Sequence, residues 1–325
     1  ITPKLQLESQ RSPFAVRRML AGLGYQETIN FSFVEERWER ELAGNADPIR
    51  LLNPIASQMS VMRSSLLGSL LQVLKFNTDR RAERVRVFEL GRVFLRDASV
   101  ANTDTTVQGY HQPMRVAGLA YGGVDLLQWG RKEQAVDFFD VKGDVEALLA
   151  PLSARFEPAE HPAMHPGRCA RVCLGERVIG HVGELHPRWR QAWELPQAPV
   201  LFELELDAVL QRPVPRFAPV PKHQMVERDL AVVVAEAVTH GAIMGAIRAA
   251  LPTELLRDAV LFDVFRPQQG KGVQVGSAGL ELGEKSLAVR LTLGGHAPLT
   301  EADIDAAVQA VLAQLKAQVG ARLRG

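Results

Sequence analysis

The chain of 325 residues is long enough for two domains, and its 46% hydrophobic and 23% charged residues are ordinary for a globular protein, which excludes large-scale disorder. A formal net charge of +1, from 38 basic and 37 acidic side chains, excludes a strongly basic nucleic-acid binder, so any RNA contact must rest on local arrangement. No apolar run approaches the roughly 20 residues needed to cross a bilayer, and the start lacks a signal-peptide layout. The expectation is a cytoplasmic protein, and an opening Ile1 in place of methionine points to a fragment of something longer.

Residues 11–24 predict a helix, with Ser12 as N-cap, Pro13 at the first helical position, Gly24 past the end, and Phe14, Val16, Met19, Leu20 and Leu23 as its buried stripe. ETINFSF, 27–33, alternates as a strand, and VEERWERELA after it reads as an amphipathic helix. In LLNPIASQMSVMRSSLLGSLLQVLKF, Asn53-Pro54 breaks the chain and a helix begins near Ser64, with Ser64 and Ser65 available to cap it. Leu66, Leu67, Leu70, Leu71, Val73, Leu74 and Phe76 give that helix a wide apolar face. The strand that follows, Val85 to Leu95 in VRVFELGRVFL, is apolar on both sides and is expected to be covered on both.

Residues 96–112 are polar and aperiodic, a surface loop, and a strand follows at 114–121. FFDVKGDVEALLAPL, 138–152, is a helix with apolar Phe139, Val141, Val145, Leu148 and Leu149. Asp140, Lys142 and Asp144 resemble an acid–base cluster, but their place at a helix start assigns them to capping and solvation. In 161–187 two apolar strands flank a turn at Gly175-Glu176, and His165, Arg168, His181 and His186 are candidates to line a pocket. Cys169 and Cys173 lie four strand steps apart, about 13 Å, too far for a disulfide, so buried thiols are expected. His161, His165 and Cys169 recur every four residues, yet Pro162 and Pro166 interrupt any helix that would align them, and no metal site is expected. LFELELDAVL, 201–210, reads as a closing strand. Four prolines in QRPVPRFAPVP, 211–221, favour an extended spacer, which sets the domains at 1–211 and 212–325.

Beyond the spacer the order is strand (228–235), helix (from Gly241), strand (255–265), strand (285–293), helix (from Leu299) and a short last strand in GARLR, the split βαβ pattern of a ferredoxin-like domain. Thr300 with Asp303 forms a capping-box pattern. Such a sheet buries one face under its helices and leaves the other open. Alternation assigns Leu287, Val289, Leu291 and Leu293 to the core and Ser286, Ala288, Arg290 and Thr292 to the open face. It likewise opposes Asp263 and Phe265 to Phe262 and Val264, and leaves Asp229, Ala231 and Val233 outward. Small side chains with one aromatic and one arginine would admit unstacked bases, with Phe265 and Arg290 as the contacts; the other reading is a bland face hidden by another domain. From Arg212 to Gly325, thirteen Lys or Arg face eleven Asp or Glu, so phosphate attraction alone cannot sustain binding.

NPIASQMSVMRSSLL followed by VFELGRVF, the HPGR and GELHP pieces, and ERDLA, FDVF, GEKSLAVRL and LTEADI together resemble the beta subunit of bacterial phenylalanyl-tRNA synthetase. The chain departs from that family at Pro267 and at Ala297-Pro298. The resemblance implies an α+β chain: a class II aminoacyl-tRNA synthetase-like antiparallel sheet with helices that no longer catalyses, followed by a ferredoxin-like βαββαβ anticodon-binding domain. It implies a separate alpha subunit that carries the catalytic site, a heterotetramer of two alpha–beta pairs, and tRNA-Phe as partner, with no membrane. ATP and Mg would serve the whole enzyme, and no cofactor, metal or catalytic residue is assigned to this portion. The candidate tRNA-binding residues are Asp229, Ala231, Asp263, Phe265, Arg266, Ser286, Ala288 and Arg290. The comparable strand carries Arg86 and Arg92, neither of which is given a catalytic role. No phosphate-binding GxxxxGK[ST] loop and no nucleophile beside a base is found. Two other readings stay open on the residues: a metabolic enzyme with a ferredoxin-like amino-acid-binding regulatory domain, and a stand-alone synthetase-like regulator.

Overall fold

The structure, a computed structural model, describes residues 7–217, 220, 222–267, 280–281, 283–295 and 297–324. Two compact units divide between Pro215 and Arg216. Arg212 still belongs to the first, its N–H donating to the Ser9 carbonyl at 3.0 Å and its Nε to that of Glu8 at 2.7 Å. Of the proline-rich spacer, Ala218, Pro219 and Pro221 lie outside the described residues.

The first unit is built on a seven-stranded sheet in the order Gln26–Glu27, Val85–Arg92, Met114–Tyr121, Val200–Glu205, Arg177–Leu185, Met164–Leu174 and Arg155–Pro158. Only the first pair is parallel among these. Val85–Arg92 is buried at seven of its eight residues, as expected for a strand covered on both faces. On one face Phe88, Leu90, Val116 and Phe202 pack against Val16 and Leu20 of the helix Pro13–Gly22 and Val141, Val145 and Leu148 of the helix Phe138–Leu149. On the other, Val85, Val87 and Leu119 lie in one core with Leu67, Leu70, Leu71 and Leu74 of the helix Leu67–Thr78. Each fully buried leucine contributes about 1.5–3 kcal/mol, so these helices are held by packing more than by propensity.

Several local expectations are corrected. The segment 27–33 is no continuous strand. After Thr28, whose N–H still donates to the Phe88 carbonyl at 2.8 Å, Asn30 turns to hydrogen-bond Glu89 at 2.8 Å and the chain leaves the sheet, exposing Ile29 and Phe31. The helix expected near Ser64 begins at Leu67, whose N–H donates to Ser65 Oγ at 3.2 Å, while Ser64 makes no such contact among the described residues. Glu203 accepts from the Leu66 N–H at 2.6 Å and from Ser65 Oγ at 3.1 Å, while Glu39 accepts from the Ser64 N–H at 2.8 Å. Carboxylates from distant elements thus hold the residues leading into the helix, and Glu203 also fixes the Ser65 hydroxyl that receives the first helical N–H.

The helix after Val34 covers only Glu36–Glu41. The expected strand 201–210 is a strand, Val200–Glu205, that turns directly into a helix, Leu206–Leu210. Phe14, Phe76 and Phe139 were expected among buried stripes but are exposed. Asp144 is not solvated: it accepts from Tyr25 Oη at 2.8 Å and Arg86 Nη1 at 3.0 Å. Asp140 does cap, in a box with Asp137.

The second unit has a four-stranded antiparallel sheet in the order Leu256–Phe265, Glu284–Leu293, Val226–Ala235 and Arg322–Leu323. Helices His240–Ala250 and Glu301–Val319 connect these strands in the ferredoxin-like sequence βαββαβ. Leu230, Val232, Val234, Leu287, Val289, Leu291 and Leu293 form one core with Ile243, Ile247, Ile304 and Val311 of the helices. Thr300 and Asp303 make the expected capping box, and Gly320 closes the second helix at φ +64°, where a side chain would be strained.

Candidate nucleic-acid interface

Both helices of the second unit pack on one face of its sheet, and the residues of opposite parity form the other. The register places Asp229 opposite Arg290 and Ala231 opposite Ala288 across the two central strands. On the edge strand Asp263 opposes Ala288 and Phe265 opposes Ser286. Asp229, Ala231, Asp263, Phe265, Ser286, Ala288 and Arg290 therefore share one face, while Arg266 follows at the end of its strand with its Nε on the Glu236 carboxylate at 3.0 and 3.2 Å.

Phe262 was expected in the core, and the structure corrects this. The register shifts between Leu261 and Asp263, a bulge that leaves Phe262 unpaired on its strand. Phe262 is 52% exposed, with the Arg290 guanidinium carbon 5.3 Å from the ring centroid. Phe265 is 37% exposed and carries the Arg324 guanidinium 5.4 Å from its centroid. The face thus presents two arginine–phenylalanine pairs where the sequence suggested one aromatic.

Two further residues differ from their expected exposure. Ser286 is only 3% exposed, its Oγ receiving Arg324 Nη1 at 3.5 Å, and Val233 is buried on the same face. The last strand accounts for this: Arg322 pairs with Val233 in register, and the Arg324 N–H donates to the Ala231 carbonyl at 2.9 Å, so both arginines fall on the open face. Arg324 was missed in the sequence, although the alternation in ARLR carries the signal.

Asp229 grips Arg290 at two points, Nε to Oδ1 at 2.8 Å and Nη2 to Oδ2 at 2.9 Å, and Glu227 approaches Nη1 at 3.4 Å. The hydrogen bond and then the charge of Asp229 raise the Arg290 pKa further above its ordinary value, and Arg290 holds the Asp229 carboxyl below the usual carboxylate range. Arg290 and Arg266 are thus set against Glu227, Asp229 and Glu236, which makes this part of the face near neutral and better suited to stacking than to phosphate capture.

The pocket candidates of the first unit are divided. His161 and His186 line a cavity of about 430 Å³ with Met164 and Arg188. Arg168 pairs with Glu184 at 2.6 Å beside a different cavity of ≈ 650 Å³, and His165 accepts from the Gly167 N–H. Cys169 and Cys173 are buried and free, and burial pushes the Cys169 thiol up to about 11. Arg86 is committed to Asp144, and Arg92 donates to the Gln112 carbonyl at 2.9 Å. At the sheet centre a Cβ on Gly118 would come within 2.2 Å of the Phe202 ring, so that space is already filled. Among the described residues no group of three or more His, Cys, Asp or Glu is placed to hold a metal ion, and no helix is long and apolar enough to cross a membrane.

His161 packs on His181 with ring centroids 5.1 Å apart, and burial, then the neighbouring imidazole, lowers its pKa to about 4. An unfolded histidine titrates near 6.5. As pH falls below 6.5 the unfolded chain gains a proton that the folded chain refuses, so stability declines down to about pH 4. Between about pH 7 and pH 5 this group is expected to remove about 1–2 kcal/mol. Urea midpoints at the two pH values check it, and His161→Phe should reduce the difference.

A family model described as the phenylalanyl tRNA synthetase beta chain CLM domain matches residues 1–206, and one described as the ferredoxin-fold anticodon binding domain matches residues 221–324. The phenylalanine–tRNA ligase beta subunit of Cupriavidus pinatubonensis is 52% identical over 323 residues, covering 98% of this chain and 39% of its own length. That of Burkholderia lata is 52% identical over 322 residues, with the same coverage, and that of Dechloromonas aromatica 46% over 325 residues. A solved pyrrolysyl tRNA synthetase from Desulfitobacterium hafniense overlaps 63% of this chain and 67% of its own, with a TM-score of 0.43 and 10% identity. The chain spans 39% of the length of the first two curated relatives. With one family model covering its first unit and a second its ferredoxin-like unit, the chain belongs to the phenylalanyl-tRNA synthetase beta chain family.

Proposed function

We propose that this chain serves as part of the beta subunit of a cytoplasmic phenylalanine–tRNA ligase, which joins phenylalanine to tRNA-Phe at the expense of ATP. Its first unit is a structural partner for a separate catalytic alpha chain within a heterotetramer, and its second contacts the anticodon region of tRNA-Phe. The observation that carries the second part is the open sheet face, where Phe262 and Phe265 stand exposed beside Arg290 and Arg324 around the small side chains Ala231 and Ala288. Exposed aromatics flanked by arginine planes and low side chains are what splayed RNA bases stack upon.

ATP and its magnesium do not fit the first unit's sheet as it stands. Arg86, on the strand compared with the nucleotide-binding strand of class II enzymes, is held inside by Asp144, and the Phe202 ring occupies the space over Gly118. Nucleotide chemistry is therefore assigned to the alpha chain, and no step is routed through these residues. Titrating the chain with an anticodon stem-loop of tRNA-Phe tests the RNA contact. Saturable binding that an acceptor-stem helix of equal length does not displace is expected; equal displacement by both would argue against an anticodon role.

A further inference from the structure

Two arginines of the open face, Arg290 and Arg324, stand in opposite electrostatic surroundings, while Arg322 is paired with Glu284. Arg290 has two donors fixed by Asp229, and its Nη1 lies 3.4 Å from Glu227, so the cluster of Glu227, Asp229 and Arg290 carries one more negative than positive charge. Arg324 has Ser286 Oγ as its side-chain partner at 3.5 Å, and among the described residues no carboxylate forms an ion pair with it. A phosphate approaching Arg290 would meet two carboxylates already in place, whereas a base approaching it meets the surface of a guanidinium whose position is set. Arginine stacks through its planar face even when its edge is engaged in a fork to a carboxylate.

We infer that Asp229 is a positioning residue that holds Arg290 beside Phe262 as a stacking platform for an unpaired RNA base, while Arg324, beside Phe265, takes a backbone phosphate. The inference rests on the RNA contact proposed above and adds a division of labour along the face. Glu227 and Asp229 set carboxylate oxygens beside Arg290, each with further accepting capacity, so a base that offers an exocyclic amino group suits this end of the face. A lysine at 290 would lack both the planar surface and the two-point fit to Asp229.

The test is titration of the chain with unmodified tRNA-Phe transcript at several salt concentrations from about 50 to about 200 mM. Asp229→Asn removes a negative charge from an RNA-facing surface, and simple electrostatics would make it bind more tightly. The positioning role requires the opposite: about 10-fold weaker binding, with an unchanged salt slope. Arg290→Lys should lose as much as Arg290→Ala, again without altering the slope. Arg324→Gln should lower the slope by about 0.7–1, the signature of one lost phosphate contact. All three positions lie on a sheet surface where exposed ion pairs contribute little to folding, and matching thermal melts verify that each of the four variants folds.

Tighter binding by Asp229→Asn, or a shallower slope in Arg290→Ala, would overturn the division. Wild-type chain that fails to bind the transcript at low salt would instead overturn the RNA contact beneath it.

Discussion

Replacing Arg63 with alanine is expected to lower the unfolding free energy of the first unit by about 3–5 kcal/mol, the usual consequence of leaving one member of a buried ion pair without its partner. Arg63 Nη2 lies 2.8 Å from Glu89 Oε1, with side-chain exposures of 3% and 4%. The same guanidinium donates to the Arg92 carbonyl at 3.1 Å and the Phe31 carbonyl at 3.4 Å, and the second Glu89 oxygen accepts from Asn30 at 2.8 Å. One side chain thereby ties the segment leaving the sheet at Asn30 to the central strand. Gly91 completes the arrangement, since a Cβ there would stand 2.4 Å from Arg63 Nη2 and 2.9 Å from Glu89 Oε1.

All four tryptophans, Trp38, Trp129, Trp189 and Trp193, precede residue 215, so their fluorescence reports unfolding of this unit alone. A fall in the urea midpoint at constant slope is the expected result. The double replacement Arg63→Met with Glu89→Leu should recover much of the loss, because it removes the uncompensated charge. A loss below about 1 kcal/mol in the single variant would mean that the pair behaves as a surface contact.

Truncating both open-face phenylalanines, Phe262→Ala with Phe265→Ala, is expected to weaken binding of the anticodon stem-loop by at least about 30-fold. Stacking on one aromatic contributes about 1–3 kcal/mol per base, and each ring here also carries a guanidinium within 5.4 Å of its centroid that the truncation would leave without a platform. Folding should change little, as both rings are exposed and outside the main core of this unit. The discriminating readout is direct binding by fluorescence anisotropy at constant salt, with an unchanged thermal melt. Affinity within about twofold of wild type would show that the bases do not stack here.

Much of this architecture was legible because it rests on periodicity. The core face of KSLAVRLTL, the capping box at Thr300 and Asp303, and the doubly covered strand through Val87 and Glu89 all follow from local spacing. What alternation could not show was a break in its own period. The bulge after Leu261 turns Phe262 outward and makes an expected core residue part of the candidate site. Nor could local sequence show partners far along the chain. Glu203, 137 residues from Leu66, accepts from the Leu66 N–H and from the hydroxyl of Ser65, which itself receives the first N–H of the helix. The pieces MRSS and FELG, matched to the family as separate motifs, are joined by the contact between Arg63 and Glu89 over Gly91.

The central claim, that this chain supports and guides a synthetase without performing its chemistry, is tested most directly by phenylalanine-dependent ATP–pyrophosphate exchange. The chain is assayed alone and then with purified alpha subunit added. Exchange that appears only when alpha is present is expected; exchange by this chain alone would contradict the claim and turn attention to Arg86, Arg92 and the histidines of the first unit.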